Sequence, residues 1–346
     1  MTPSLWTSRS AGIVRAALVP PAMLFQAGTA IRRRLYAAGI RSRYRPPVPT
    51  VCVGNLSVGG TGKTPVAQWV ARFAIQRGIR PAVLLRGHGA DEVILHRTAL
   101  PEASVVADAN RPRGARRAVA AGAEALILDD GFQRLDILRD LDIVLVSADQ
   151  ADAVDWPLPA GPWREPWTAL RRADCVIVTR KAASEGDVAH TVGRVVAERP
   201  DGPVAVARLS LGRLERLRTR RTIPATALAG RRVLAIAGIG DPRAFARQLE
   251  ALGATVDLAA RPDHHAYPYA DIRRLRRAAE AVDYVAVTAK DAVKLASRWP
   301  RDAPEPVVAG LEITWERGRA ALEAALAHTF TAPAQHRRRV GGGRQT

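Results

Sequence analysis

The stretch Val51-Cys52-Val53-Gly54-Asn55-Leu56-Ser57-Val58-Gly59-Gly60-Thr61-Gly62-Lys63-Thr64-Pro65 constrains the chain more than any other. A β-branched run leads into a glycine-rich loop. Residues 66–76 then carry apolar side chains at helical spacing (Val66, Val70, Phe73, Ala74). Ser57-x4-Gly62-Lys63-Thr64 between them reads as a P-loop with serine in place of the usual first glycine. Glycines let backbone N–H groups turn inward around phosphate oxygens, and the helix N-terminus adds partial positive charge. In such a loop Ser57, Val58, Gly59, Gly60, Thr61 and Gly62 wrap the phosphates of ATP. Lys63 reaches the outer phosphates, and Thr64 offers a hydroxyl to Mg²⁺. Pro65 falls in the first helical turn, where a missing N–H costs little.

A second signal supports the first. Ala125-Leu126-Ile127-Leu128-Asp129-Asp130 is an apolar strand ending in two carboxylates, the pattern that holds Mg²⁺ beside a P-loop. Which aspartate meets the metal first is left open. Strands are also expected at Pro81–Leu85, 101–107 and Leu141–Ser147, with a basic helix over 110–121. This alternation predicts a mainly parallel sheet with flanking helices. Asp91 and Glu92 are expected on a loop past the second strand, within reach of a ligand over the carboxyl ends of the sheet.

The Pro-, Gly- and Trp-rich stretch 156–167 excludes a long helix and reads as a crossing to a second, smaller α/β lobe. Strands follow at 173–179, 204–209, 233–237, 255–258 and Tyr284–Thr288. Residues 213–221 are charge-dense and read as a solvated connection. The Asp263-His264-His265 loop precedes a helix capped by Tyr269-Ala270-Asp271. A last helix is expected over 317–327. The expected division is 1–45 as an N-terminal membrane-associated region, 46–155 as a P-loop domain and 156–312 as the second lobe. Residues 313–330 return to the first lobe, and 331–346 form a disordered tail.

The chain holds 346 residues with a formal net charge of +19. Two cysteines in apolar strands, Cys52 and Cys175, exclude a disulfide framework or zinc spacing and fit a reducing compartment. Much of the arginine is scattered over solvated faces. The first fifty residues differ, with eight arginines and no acidic residue. Their uncharged core, residues 16–31, is short for a membrane span and is broken by Pro20-Pro21. It reads as a helix lying in a membrane interface, with Arg32, Arg33, Arg34, Arg41, Arg43 and Arg45 toward lipid phosphates. An N-terminal helix packed on the protein body is the alternative. Tyr44 and Trp6 suit the lipid boundary or the core.

With these residues assembled, the chain resembles the tetraacyldisaccharide 4'-kinase family, which phosphorylates the lipid A disaccharide of lipopolysaccharide. The resemblance lies in the P-loop stretch, Asp129-Asp130-Gly131-Phe132-Gln133, Leu158-Pro159-Ala160-Gly161-Pro162-Trp163-Arg164-Glu165-Pro166 and Ala237-Gly238-Ile239-Gly240-Asp241-Pro242. It continues in Asp263-His264-His265 and Lys290-Asp291-Ala292-Val293-Lys294. It implies a P-loop NTPase-like α/β fold and transfer from ATP-Mg²⁺ to the 4'-hydroxyl of tetraacyldisaccharide 1-phosphate, giving lipid IVA. It places the enzyme on the cytoplasmic side of a Gram-negative inner membrane, against an anionic surface, with no nucleic acid and no obligate protein partner. Asp91 would take the hydroxyl proton with His264 as its partner, on different lobes brought together by closure, and His265 could exchange roles with His264. Glu92, Arg111, Gln133, Arg164 and Glu165 would support the site, Arg111 meeting the transferring phosphate or the substrate's 1-phosphate.

There are departures. Leu85-Arg86-Gly87-His88-Gly89 stands where the family has Ser-Arg-Gly-Tyr-Gly, and Gln133-Arg134 where it has Gln-His. Ala289-Lys290-Asp291 replaces Glu-Lys-Asp. A segment that normally follows is missing, so the Gly-Asp-Glu-Pro motif collapses onto Ala90-Asp91-Glu92-Val93. These departures keep an inactive membrane-associated paralogue as an alternative, and the charge keeps a P-loop nucleic-acid-binding protein. The scarcity of aromatic residues for base stacking weighs against the latter.

Overall fold

The computed structural model describes residues 12–87 and 89–332. Trp6 and residues 333–346 of the expected tail lie outside the described residues, as does His88. The rest forms two compact units. One holds residues 12–87, 100–207 and 315–332, and the other holds 89–99 and 208–314.

In the first unit, α1 (Gly12–Ala37) leads to β1 (Thr50–Asn55), α2 (Lys63–Ile75) and β2 (Pro81–Leu85). After an excursion into the second unit come β3 (Ser104–Ala107), α4 (Arg111–Ala120), β4 (Ala125–Asp129), β5 (Leu141–Ser147), β6 (Cys175–Arg180) and α5 (Glu185–Glu198). The excursion is α3 (Ala90–Ala99). Strand order is β6-β5-β1-β4-β2-β3, all parallel. From β1 the chain moves out through β2, β3 and β4 on one side, then to β5 and β6 on the other. The carboxyl end of β1 is thus the topological switch point, where α/β sheets bind ligands. β1, β2, β4 and β6 are buried throughout, which explains their continuous apolar runs. Both cysteines are core residues.

β7 (Val204–Arg216) carries the chain into the second unit. There follow β8 (Thr222–Ile223), β9 (Arg232–Ala237), α6 (Pro242–Glu250), β10 (Thr255–Ala260), α7 (Tyr269–Ala279), β11 (Tyr284–Thr288) and α8 (Ala289–Leu295). β12 (Val307–Arg317) leads back to the first unit and α9 (Arg319–Thr331). Strands β10-β9-β11-β12 are parallel neighbours, and β8 pairs antiparallel with β7. Within the first unit the C-terminal segment packs back on α2. Trp69 lies 4.7 Å from Trp315 and Phe73 6.3 Å from Phe330, centroid to centroid.

Several expectations are corrected. Residues 156–207 group with the first unit rather than with a lobe running from 156 to 312, because β6 pairs with β5 from Ile143–Cys175 to Ser147–Thr179. Asp91 and Glu92 open a helix, α3, and do not lie on a loop. Residues 213–221 are no simple connection: β7 runs to Arg216 and pairs Leu214 with Ile223. β12 was not expected, since Gly310 and Glu312 interrupt its apolar run. α7 starts at Tyr269 with Pro268 at its N-cap, so Asp271 lies in the first turn and is no cap. Pro20 and Pro21 do not break α1, which is a single helix of 26 residues. Their missing N–H groups fall on a largely exposed stretch, where the orphaned carbonyls meet solvent. Of the two settings expected for Tyr44 it takes the core, packing against the main cluster with its backbone paired to Asp136 and Leu138.

Candidate active site

The P-loop is built as its sequence demands. Gly62 precedes α2 at φ 91°, and Gly59 has φ 114°, left-handed conformations that glycine adopts without cost. Gly54 permits a different closeness: a Cβ there would lie 2.5 Å from the Phe132 Cβ, so the turn after β4 can sit directly on β1. Side chains then brace the loop from behind. Asn55 donates to the Thr61 hydroxyl at 2.9 Å, and Thr179 donates to the Thr61 carbonyl at 2.9 Å. Ser57 donates to Gln150 at 2.6 Å, while Gln150 donates to the Val58 carbonyl at 3.0 Å. The serine that replaces the first glycine is therefore a structural tie. Lys63 and Thr64 open α2.

Facing the loop within the same unit is the end of β4. Lys63 Nζ lies 3.6 Å from Asp130 Oδ1. Arg164 donates to both Asp130 oxygens, at 2.9 and 3.0 Å. Burial pushes the Asp130 carboxyl up, but Lys63 and Arg164 outweigh it and hold the group below the ordinary carboxylate range. Asp130 has φ 56°, which turns its carboxylate away from the strand direction. Asp129, one residue earlier, is buried. Gln133 donates to the Asn55 carbonyl at 2.9 Å and to Glu165 at 3.1 Å. Glu165 is buried and gathers Arg33 of α1 and Arg172 as well. Arg45 meets Asp140 at 3.4 Å, so Arg33 and Arg45 turn toward the protein rather than toward lipid phosphate.

Arg111 requires a correction. It was expected to meet a phosphate, but it is 2 % exposed. Its guanidinium donates to the backbone carbonyls of Asp108 at 2.9 Å and Asp129 at 3.2 Å. Burial lowers its pKa to about 10. The arginine is a strut behind β4, and its place at the first turn of α4 aims it into the sheet.

The second unit holds the other group of expected site residues. α3 packs against α8, and this brings Asp91 and His264 into one unit, so no closure of lobes is needed to join them. His264 Nδ1 lies 3.3 Å from Asp91 Oδ2, with His264 in a left-handed conformation at φ 61°. His265 turns elsewhere and pairs with Asp271, which separates the roles of the two histidines. Lys294 Nζ lies 3.2 Å from Asp91 Oδ2. Lys290 Nζ lies 3.6 Å from Glu92, 3.0 Å from Asp263 and 3.2 Å from His264 Nε2. Asp91 is 5 % exposed. Burial raises its pKa, but Lys294, then Lys290 and His264, outweigh that and hold it below the ordinary value. Both lysines belong to the Lys290–Lys294 motif, and their spacing of four on one helix is the sequence signal for a shared role. Gln150 and Lys181 carry no such signal, and the Lys181 amine would lie 3.0 Å from a Cβ at Gly60.

The groups that could hold a divalent ion are the Thr64 hydroxyl and the Asp129 and Asp130 carboxylates. No group of three or more His, Cys, Asp or Glu ligands occurs among the described residues. Hard oxygen donors limited to one or two carboxylates fit Mg²⁺, which takes the rest of its shell from phosphates and water.

A braced P-loop at the switch point of a parallel sheet, with a strand-terminal acidic pair beside its lysine, defines the class of P-loop NTPase-like α/β proteins. The family is narrower. The family model for tetraacyldisaccharide-1-P 4'-kinase matches residues 14–93 and 89–331, two stretches that meet where the segment after Gly89 is missing. A tetraacyldisaccharide 4'-kinase of Anaeromyxobacter sp. (strain K) is 37% identical over 376 residues, covering 96% of this chain and 97% of the relative. One from Azoarcus sp. (strain BH72) is 37% identical over 331 residues, covering 89% and 91%. The crystal structure of LpxK from Aquifex aeolicus in complex with ATP is similar with a TM-score of 0.70 at 27% identity, covering 92% of this chain and 99% of that one. The chain belongs to the tetraacyldisaccharide-1-P 4'-kinase family.

Proposed function

We propose that this protein transfers the γ-phosphoryl group of ATP to the 4'-hydroxyl of tetraacyldisaccharide 1-phosphate, giving lipid IVA. Family membership over nearly the whole chain, joined to an intact P-loop, carries this reading. In this reading Ser57 to Thr64 cradle the ATP phosphates and Lys63 neutralises the outer ones. Thr64 with Asp129 or Asp130 would hold Mg²⁺, which supplies further neutralisation of phosphate charge when bound. Arg164 sets the Asp130 carboxylate, and Gln133 with Glu165 stiffens the loop from below. Asp91 accepts the proton of the 4'-hydroxyl as its oxygen bonds to phosphorus and ADP leaves, while His264 orients the carboxylate. Glu92 stands beside it on Lys290.

The lipid substrate also gives α1 a purpose. It is the one helix among the described residues long and apolar enough to cross a membrane, by length and composition. Ile13, Met23, Leu24 and Ile31 are exposed on it, Leu24 to 75%. We read α1 as lying in a membrane interface on the cytoplasmic side, with Arg32, Arg41 and Arg43 gathered around Tyr36 at 5.7–6.0 Å. The deciding experiment is transfer of labelled phosphate from ATP-Mg²⁺ to tetraacyldisaccharide 1-phosphate in detergent micelles, beside Lys63→Ala and Asp91→Ala. Transfer that collapses in both variants is the expected result. A folded, ATP-binding wild type without transfer would return the inactive paralogue to first place.

A further inference from the structure

Lys290 and Lys294 are four residues apart on α8, hence on one face of the helix. Each reaches a different member of the Asp91–His264 pair. Lys294 Nζ lies 3.2 Å from Asp91 Oδ2 and 3.9 Å from Asp291 Oδ1. Asp291 is a fixed floor: it is fully buried and accepts from the Thr288 hydroxyl at 2.6 Å, the Tyr267 hydroxyl at 2.8 Å and the Gly238 N–H at 2.9 Å. The ammonium is therefore held between a rigid carboxylate and the one that is to act.

Lys290 works on the histidine. An ammonium has donors only, so at 3.2 Å from His264 Nε2 it meets that nitrogen's lone pair. The ring proton then sits on Nδ1, which faces Asp91 Oδ2 at 3.3 Å. Both approaches, from Lys294 and from His264, fall on Oδ2. The other oxygen, Oδ1, lies beside Gly89, where an added Cβ would stand 2.1 Å from it. A side chain at position 89 would press on that oxygen, and glycine leaves room beside it.

We infer that the lysine pair of α8 positions the base: Lys294 keeps Asp91 ionised with Oδ1 presented to the hydroxyl proton, and Lys290 keeps His264 in the tautomer whose N–H faces Oδ2. The inference rests on the reading of Asp91 as the base. The charged and titratable groups around Asp91 are Glu92 on its own helix, Lys290, Asp291 and Lys294 on α8, and Asp263 and His264 on the preceding loop. The three cationic or polar partners outweigh burial in lowering the Asp91 pKa. Without Lys294 the burial remains and the counter-charge does not, so the pKa rises.

The test uses the full chain in micelles with ATP-Mg²⁺ and tetraacyldisaccharide 1-phosphate. Lys294→Met is expected to lower kcat by roughly 10²-fold with the KM for ATP changed less than about threefold. An acid limb should appear in its kcat profile within the pH range where the wild type is flat. Lys294→Cys alkylated with 2-bromoethylamine restores a lysine-like amine and should recover activity; the buried native cysteines make treated wild type the control. Lys290→Met is expected to lower kcat by about tenfold, again with ATP binding intact. Lys294→Met with wild-type kcat would overturn the inference, as would a loss with no change in pH profile and no recovery on alkylation. Asp91→Asn separates the two levels. If it is inactive while Lys294→Met is normal, only the lysine role falls; if it turns over normally, the base assignment falls with it.

Discussion

Lys63 Nζ lies 3.6 Å from Asp130 Oδ1, and the same carboxylate takes two hydrogen bonds from Arg164. The P-loop lysine thus faces the residue that follows β4, and Arg164 binds the same carboxylate. Lys63→Ala is expected to weaken ATP binding and to lower phosphate transfer by ~10²–10³-fold. Equilibrium dialysis and labelled transfer check the two effects separately. Arg164→Ala should lower transfer less, since it removes the guide and not the phosphate contact.

Asp91→Asn is expected to keep ATP affinity and to lose ~10²–10⁴-fold in kcat, the range for a general base. Because the Asp91 pKa is held below its ordinary 3.8, the carboxylate is mostly ionised at pH values above that. The wild-type kcat should therefore show no acid limb between about pH 5 and 7. A limb in that window, measured on folded protein, would contradict the arrangement of Lys294 and His264 around the carboxylate.

Arg111→Ala separates a strut from a substrate contact. Its guanidinium donates to two carbonyls inside the first unit. Removing it should destabilise the fold by about 2–3 kcal/mol, the cost of leaving buried acceptors unpaired, with a lowered midpoint in urea. The KM for the lipid substrate should stay near the wild-type value. A large rise in that KM at unchanged stability would restore the phosphate role.

Asp174 is half-buried, and its loss of solvent, with the nearby Asp142 charge, raises its pKa to about 6 from 3.8. Between those values the folded form binds more protons than the unfolded form, so this group makes stability fall as pH rises from 3.8 to about 6. Its oxygen accepts from the Asp142 N–H at 2.7 Å, a bond that asparagine can also accept. Asp174→Asn should raise stability at pH 7.5 on the order of 1 kcal/mol and have little effect near pH 4. Urea titrations at the two pH values read the difference.

Met23 and Leu24 are exposed on α1, so replacing them with glutamate leaves the packed body intact. The double variant should lose flotation with anionic vesicles and keep transfer to substrate dispersed in detergent. Flotation at the wild-type level would remove α1 from the membrane contact.

The P-loop and the end of β4 were legible in the sequence because their chemistry is local: a dozen consecutive residues dictate strand, loop and helix. Asp91 was visible as a carboxylate past a strand, but its pairing with His264 came only through the resemblance, and the setting of both was misread. Nothing near Asp91 in sequence tells that α3 packs on α8, far along the chain, and a Gly-Ala-Asp-Glu start reads as readily as a loop. Arg111 on its basic helix suggested a phosphate contact; its burial comes from its bond to the end of β4, a tertiary effect. Pro20-Pro21 suggested a break that the long exposed helix absorbs. β12 was hidden by its own Gly310 and Glu312.

The return of β12 and α9 to the first unit has a consequence for synthesis. Trp315 and Phe330 leave the ribosome after every residue of the second unit, yet they cover Trp69 and Phe73 on the P-loop helix. The nucleotide-binding unit stays unfinished through most of translation, with that aromatic face bare. A nascent chain stalled before residue 315 should therefore be protease-sensitive at α2 although every P-loop residue has been made. The last stretch to emerge is the one that lets the first unit close its core.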